Sequence, residues 1–268
     1  EGAQGATSFN QIIAQGYGDP QSAQEFCELA QWVNYDGHRS LFESRSKYRM
    51  GLLMWMSHPC WPSMVWQTYD YYFEPTAAYF GIKKACEPLH IQWNPATDEV
   101  EVVNYHAGAH ANLTAHAQVL NMDANVAWEG EAKVNSQEDT TEKCIKLQFP
   151  DNLTKVHFIK LTLKEGDKVV SENFYHRSKE ENNYQDLKQL AKVSLQSDLQ
   201  YEQDANGEWH AVVTLENTTS TPALMVRLNI VGAEDGLQFL PIFYEDNYFA
   251  LLPGEKKEVR VHWKDVDT

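Results

Sequence analysis

The alternation of apolar and polar positions changes character near residue 90. Upstream, apolar residues recur at helical spacing. Phe26, Ala30, Val33, Gly37 and Leu41 form one stripe behind Asp19-Pro20, a helix start with proline at its first helical position. Lys47 and Arg49 put positive charge at the end of that helix, where the dipole favours it. The run Gly51 to Met56 (GLLMWM) is apolar throughout, which predicts a strand covered on both faces in a parallel sheet. An aromatic loop from Ser57 to Pro75 leads into a second helix, from Thr76 to about Glu87, which Pro88 ends.

Downstream the pattern becomes short runs between turn residues. Strands are expected at Leu89–Asn94, Glu99–Tyr105, Leu113–Asn121, Lys143–Phe149, Val156–Leu163 and Lys168–Tyr175, with turns at Asn94-Pro95 and Glu165-Gly166-Asp167. Their number and spacing predict an immunoglobulin-like β-sandwich. A charged stretch from Arg177 to Gln189 reads as a linker with a short helix. Further strands are expected at Lys192–Leu199, Trp209–Glu216, Leu224–Val231, Tyr248–Leu251 and Glu258–Trp263, with Asn206-Gly207 as a hairpin turn. The chain therefore divides into residues 1–88, a sandwich over 89–185 and a second sandwich over 186–268. A strand covered on both faces needs strands beside it, and residues 1–88 supply no other. That piece reads as the last part of a larger α/β domain.

Composition narrows the chemistry. Among 268 residues, Lys plus Arg number 22 and Asp plus Glu 38, for a formal charge of −16. Such a surface repels phosphate backbones, so no nucleic-acid partner is expected. No apolar run reaches the roughly 20 residues of a membrane span. The chain opens on small polar residues, Glu1 to Ser8, without a secretory pattern. Cys27, Cys60, Cys86 and Cys144 show no CxxC spacing and His-x-x-His is missing, so no metal and no cofactor is expected. Cys27 and Cys86 fall on apolar helix faces and read as buried thiols. Asn112, Asn152 and Asn217 head glycosylation sequons.

Met54 to Pro75 holds the densest chemistry: Trp55, Trp61, Trp66, Tyr69, Tyr71, Tyr72 and Phe73. Aromatic rings with polar neighbours can stack on sugar faces while Ser, His and Asp bond hydroxyls. The same run would equally serve as a packed aromatic junction. Other groupings are weaker. His106, His110 and His116 share strand parity but read as ordinary surface histidines. Asp235-Gly236 and Glu245-Asp246-Asn247 read as turns rather than a calcium site. Ser57, His58 and Asp70 lack the G-x-S-x-G elbow of a nucleophilic triad.

The run GLLMWMSHPCWPSMVWQTYDYYFEPTAAYFGIKKACEPLHIQWN resembles the end of the catalytic barrel in glycoside hydrolase family 2, in its exo-β-glucosaminidase and β-mannosidase-like branch. Trp55, Trp61, Trp66, Asp70, Tyr79, Gly81, Lys83, Lys84, Ala85, Glu87, Pro88 and Leu89 carry the likeness, as do Gly2 to Phe9 and Asn34-Tyr35-Asp36-Gly37. PIFYEDNYFALLPGE, Pro241 to Glu255, resembles the closing strand and turn of the family's last sandwich. The resemblance implies a mixed architecture: the C-terminal remnant of a (β/α)₈ barrel over residues 1–88, followed by two immunoglobulin-like β-sandwich domains. It implies a retaining β-glycosidase that removes terminal β-linked glucosamine or mannose from an oligosaccharide substrate. Upstream barrel and sugar-binding domains of the same protein would be its partners. Function in such barrels sits at the C-terminal ends of the strands. Trp55 would floor the subsite beside the scissile bond, with Ser57, His58 and Trp61 in the adjoining loop. Where the family has an Asn-rich loop, this chain has Ser57-His58-Pro59-Cys60. The family's two catalytic glutamates lie on earlier strands and no Asn-Glu pair occurs here, so no catalytic residue is assigned and the chain alone is expected to be inactive. A non-catalytic glycan-binding or scaffold module is the alternative. Polysaccharide-degrading members are commonly exported, which implies a periplasmic or extracellular location.

Overall fold

The computed structural model describes residues 2–44, 51–62 and 67–264, with side chains from residue 9 onward. Lys47, Arg49 and Trp66 lie outside the described residues. No helix among those described is long and apolar enough to cross a membrane. The chain forms two compact units, Glu1–Leu53 with Gly81–Leu190, and Met54–Phe80 with Ala191–Thr268. Most of the ordered structure is β-sheet, and all pairings between strands are antiparallel.

In the first unit, β1 (Leu89–Asn94), β2 (Glu99–Asn104) and β5 (Thr140–Lys146) form one sheet, ordered β1-β2-β5. A second sheet runs β4-β3-β6-β7, from β3 (His110–Asn121), β4 (Val126–Ser136), β6 (Val156–Glu165) and β7 (Lys168–Ser178). Period-two alternation turns Leu113, Ala115 and Ala117 of β3 inward. They meet Ile91, Val100 and Val102 across the sandwich and Ile159, Leu161 and Leu163 on the neighbouring strand in one core cluster. Strand β4, unmarked by any apolar run, alternates Glu and Lys on its outer face with Val134 beneath.

Two helices precede this sandwich, α1 (Gly2–Tyr17) and α2 (Ala23–Glu43). α2 starts later than Asp19-Pro20 suggests. Its N-cap is Ser22, whose hydroxyl accepts from the Glu25 amide at 3.1 Å. The apolar stripe is not what α2 buries either. Phe26, Ala30 and Val33 are half-buried and Leu41 is exposed, whereas His38, Arg39 and Glu43 are buried. Arg39 and Glu43, one turn apart on the same face, enter the polar side of the sandwich. The Arg39 guanidinium pairs with Asp36 at 2.5 Å and donates to Asn173 Oδ1 at 2.9 Å and the Phe174 carbonyl at 2.5 Å. It also lies 4.1 Å from the centre of the Tyr175 ring. Glu43 Oε1 accepts from Asn173 Nδ2 at 2.8 Å and Tyr175 Oη at 3.0 Å, and lies 3.1 Å from His90 Nε2. His90 Nδ1 in turn meets Glu87 at 3.1 Å, and Lys84 meets Glu87 at 2.7 Å.

These contacts set the charge states. Burial alone would raise the Asp36 carboxyl, but the Arg177 and Arg39 guanidiniums hold it well below the usual range. Burial acts likewise on Glu87, where the His90 hydrogen bond and the Lys84 ammonium bring the carboxyl down to about 2. For His90, burial opposes protonation, yet its hydrogen bonds to Glu43 and Glu87 win and raise it. Burying a polar face in place of the expected apolar stripe is costly; the bonds of Arg39, Asp36 and Glu43 offset much of that cost, while Arg39 Nε is buried with no hydrogen-bond partner among the described residues.

A third helix, α3 (Ala77–Ala85), falls where the sequence expects it. Gly81 lets its backbone approach α2: a Cβ there would stand 2.5 Å from the Tyr35 carbonyl oxygen. A short 3₁₀ turn, Gln185–Gln189, follows β7. Residues 51–56 do not form the expected strand; they are irregular. The reason is pairing. No neighbouring strand meets this segment among the described residues, and an extended run without a partner leaves its backbone groups to solvent. Leu53 is 99% exposed and Trp55 85%. Cys27 and Cys86, expected as buried thiols, are also exposed.

In the second unit, β8 (Gln196–Gln203), β9 (Glu208–Glu216), β11 (Ile242–Tyr244) and β13 (Lys256–Lys264) form a sheet ordered β11-β13-β9-β8. β10 (Ala223–Val226) pairs with β12 (Phe249–Leu251). Ala211, Val213 and Leu215 of β9 and Val259, Val261 and Trp263 of β13 are buried, so His210, Arg260 and His262 face outward. Trp209 and Trp263 stack at 6.1 Å on the inner side. Asn217, offered by the sequence as a glycosylation sequon, is wholly buried, its amide donating to the Thr221 and Leu251 carbonyls.

Candidate functional site

The aromatic loop belongs to the second unit and is organised around two side chains. Asp70 Oδ1 accepts from the Tyr72 and Glu74 amides at 2.8 and 2.9 Å, and the Asp70 amide donates to the Glu74 carbonyl at 3.0 Å. This tight turn carries Phe73 in the left-handed region, at φ 66°. Glu74 then pairs with Arg227 and accepts from Gln238 Nε2 at 3.2 Å, which ties the loop to the chain after β10. Upstream, the Ser57 carbonyl accepts from the Tyr69 amide and the Thr68 hydroxyl, both at 3.0 Å, so the start of the loop is anchored to its middle.

On that frame Trp55, Trp61, Tyr72 and Phe73 stand exposed. His58 lies against Phe73 with ring centres 5.4 Å apart, and its Nδ1 is 3.0 Å from Ser57 Oγ. Tyr69 and Tyr79 meet at 5.4 Å; burial, with Tyr79 adding to it, pushes the Tyr69 phenol up. The four residues singled out for sugar contact, Trp55, Ser57, His58 and Trp61, are all exposed and lie within seven positions of one another. The arrangement offers flat apolar faces beside a hydroxyl and an imidazole, the donor set that a pyranose presents partners for. Its carboxylates, Asp70 and Glu74, are committed to the turn and to Arg227. A retaining glycosidase needs two carboxyl groups about 5 Å apart and free to face substrate.

The weaker sequence groupings separate. His106, His110 and His116 each face a different glutamate: Glu138 at 3.1 Å, Glu165 at 2.9 Å and Glu129 at 3.6 Å. Asp235 caps the Leu237 amide, and Asn247 bonds the Leu228 amide and carbonyl, so both groups are turn structure. A grouping that spacing does not reveal lies at the β8–β9 hairpin, where Asp204, Glu208 and His210 converge. Only strand parity and register bring them together.

Comparisons with known proteins match both sandwiches. Residues 173–268 match the exo-beta-D-glucosaminidase Ig-fold domain and residues 98–179 the mannosidase Ig/CBM-like domain. The exo-beta-D-glucosaminidase of Arthroderma benhamiae is 28% identical over 94% of this chain and 31% of its own length. That of Streptomyces avermitilis is 29% identical over 97% of this chain and 32% of its own. The exo-chitosanase of Amycolatopsis orientalis superposes with a TM-score of 0.88 at 26% identity, over 96% of this chain and 34% of that one. A beta-D-mannosidase from Dictyoglomus thermophilum shares the fold, with a TM-score of 0.72 at 16% identity. The chain thus spans about a third of the length of the curated relatives it matches. It resembles the C-terminal part of glycoside hydrolase family 2 enzymes, in their exo-β-glucosaminidase and β-mannosidase-like branch.

Proposed function

We propose that this chain is the C-terminal portion of a retaining β-glycosidase that releases terminal β-linked glucosamine from oligosaccharides, mannose being the second choice of sugar. Residues 1–88 are the last helix–strand–helix portion of its (β/α)₈ barrel, and 89–185 and 186–268 its trailing sandwiches. Trp55 is the aromatic wall beside the scissile bond, with Ser57, His58 and Trp61 next to it. The acid/base and nucleophile are contributed by the upstream barrel of the same protein, so the chain alone is inactive. The work is done outside the cytoplasm, in a periplasmic or extracellular space.

The exposure of GLLMWM carries this reading. Leu53 and Trp55 are 99% and 85% exposed in the middle of an apolar run, a costly state that neighbouring barrel strands would relieve. Two further observations favour glucosamine over mannose. The relative from Amycolatopsis orientalis has been solved in complex with PNP-beta-D-glucosamine. The formal charge of −16 attracts a cationic amino sugar and is indifferent to a neutral one. The test is Trp55→Ala in the protein extended upstream, assayed on an aryl β-D-glucosaminide. Loss of a stacked aromatic should reduce kcat/KM by about 10-fold, a loss of about 1.4 kcal/mol of transition-state stabilisation. Unchanged turnover would remove Trp55 from the site. A glycan-binding module without catalysis would instead keep its oligosaccharide affinity in residues 90–268 alone.

A further inference from the structure

The outer face of the β11-β13-β9-β8 sheet carries a row of side chains set by register. Phe243 pairs with His262, His262 with His210, and His210 with Glu202, so all four stand side by side on one face. The rings stack in sequence, Phe243 on His262 at 4.9 Å and His262 beside His210 at 6.3 Å, each pair within 18° of parallel. Period two places Glu208 on this same face, one step from His210. The hairpin turn then returns Asp204 to its side, the Asp204 amide donating to the Glu208 carbonyl at 2.9 Å.

From this geometry we infer that Asp204, Glu208 and His210 form a binding site for a divalent transition-metal ion of the zinc class, with His262 positioning Glu208. One ligand atom from each of the three lies within 4.8 Å of the others. His210 Nε2 and Asp204 Oδ2 are already 3.6 Å apart. Ligand atoms at zinc distances of about 2.0–2.2 Å on a tetrahedron stand roughly 3.3–3.6 Å from one another, so closing the site needs side-chain adjustment only. Division of labour within Asp204 supports this. Its Oδ1 accepts from the Asn206 and Glu208 amides at 2.8 and 2.9 Å and fixes the carboxylate plane, while Oδ2 faces His210 and accepts a long bond from Asn206 Nδ2 at 3.4 Å, which a metal would displace. His262 Nδ1 stands 2.6 Å from Glu208 Oε1, the carboxylate–histidine contact that orients metal-binding carboxylates. The mixed nitrogen and carboxylate set selects a transition metal over calcium or magnesium, which prefer oxygen alone. A groove of about 520 Å³, lined in part by His210, His262 and Arg260, lies on the His210 side of the cluster. The ion would tie β8, exposed along its whole length, to β9.

The test is calorimetric titration of the intact chain, stripped with chelator, with zinc chloride alone. One-to-one binding is expected, accompanied by a rise in the thermal midpoint. His210→Ala removes an exposed ligand, and Asp204→Asn keeps the Oδ1 acceptor of the turn while removing the charge. Both should weaken binding more than about 10-fold, and His262→Phe by roughly 10-fold, without changing the fold seen by circular dichroism. His106→Ala, an exposed histidine on the other unit, should bind as the unchanged protein does. Absence of zinc binding by the unchanged chain would overturn the inference. So would variants at 204 and 210 that bind zinc as tightly as it does.

Discussion

Replacing Arg39 by alanine should destabilise the first unit more than any surface change could. The guanidinium is 1% exposed and makes the Asp36 ion pair, bonds to Asn173 and the Phe174 carbonyl, and the Tyr175 ring contact. Removing one partner of a buried pair costs about 3–5 kcal/mol, because the other charge stays buried. Asp36 keeps Arg177 at 3.2 Å, which pulls the value toward the lower end. The cavity and the Phe174 carbonyl, left with a weakened set of donors, push it back up. The net expectation is about 4 kcal/mol. With a urea m-value of about 2–3 kcal/mol/M the midpoint should fall by roughly 1.3–2 M. The chain has two compact units, so a single global signal would blend two transitions. Peptide-resolved hydrogen exchange along β7 in increasing urea reads the relevant one. A midpoint shift below about 0.5 M at unchanged m would refute the view that α2 is held by its polar face.

Four further outcomes follow from the structure. Gly81→Ala places a Cβ 2.5 Å from the Tyr35 carbonyl oxygen, so α2 and α3 must separate, at a cost of about 1–3 kcal/mol measured by denaturation. Burial, opposed by Asp36 and aided by Arg177, lowers His176 to about 4. The folded state therefore resists a proton that the unfolded chain takes up near 6.5, and stability should fall as pH drops from about 6.5 to 4, by at most roughly 3 kcal/mol. His176→Gln should flatten that limb; an unchanged pH profile would contradict it. His90 has the opposite sign, since its raised value makes its contribution full below about 6.5 and lost as pH rises above it. Imidazole chemical shifts followed by NMR would separate the two. Trp55→Ala in this chain should alter stability by less than about 0.5 kcal/mol, because the ring buries little.

Much of the fold was legible in the residues. Leu89–Asn94 is β1 to the residue, and the Asn206-Gly207 turn does close the β8–β9 hairpin, with Gly207 at φ 79°. One long strand, β4, was not legible. β4 hides Val134 among Glu, Gly and Lys because one of its faces is open to water. β11 has three residues, too few to show a period. Upstream, GLLMWM reads as buried by composition, yet no strand among the described residues pairs with it and Leu53 and Trp55 stand exposed. The polar face of α2 was misjudged because apolarity stood in for burial, although Arg39 and Glu43 at helical spacing already shared a face. The aromatic loop stood out by composition alone. The Asp204, Glu208 and His210 convergence did not, since a hairpin turn and strand parity assemble it, with His262 joined by register.

The most direct measurement is hydrolysis of aryl β-D-glucosaminide, mannoside, glucoside and galactoside by this chain, beside the same chain joined to its upstream region. The account predicts no turnover above the blank for the chain alone and clear glucosaminide turnover for the longer protein. Turnover by the chain alone, surviving controls for contaminating enzyme, would mean that it carries its own acid and nucleophile, and would contradict the account.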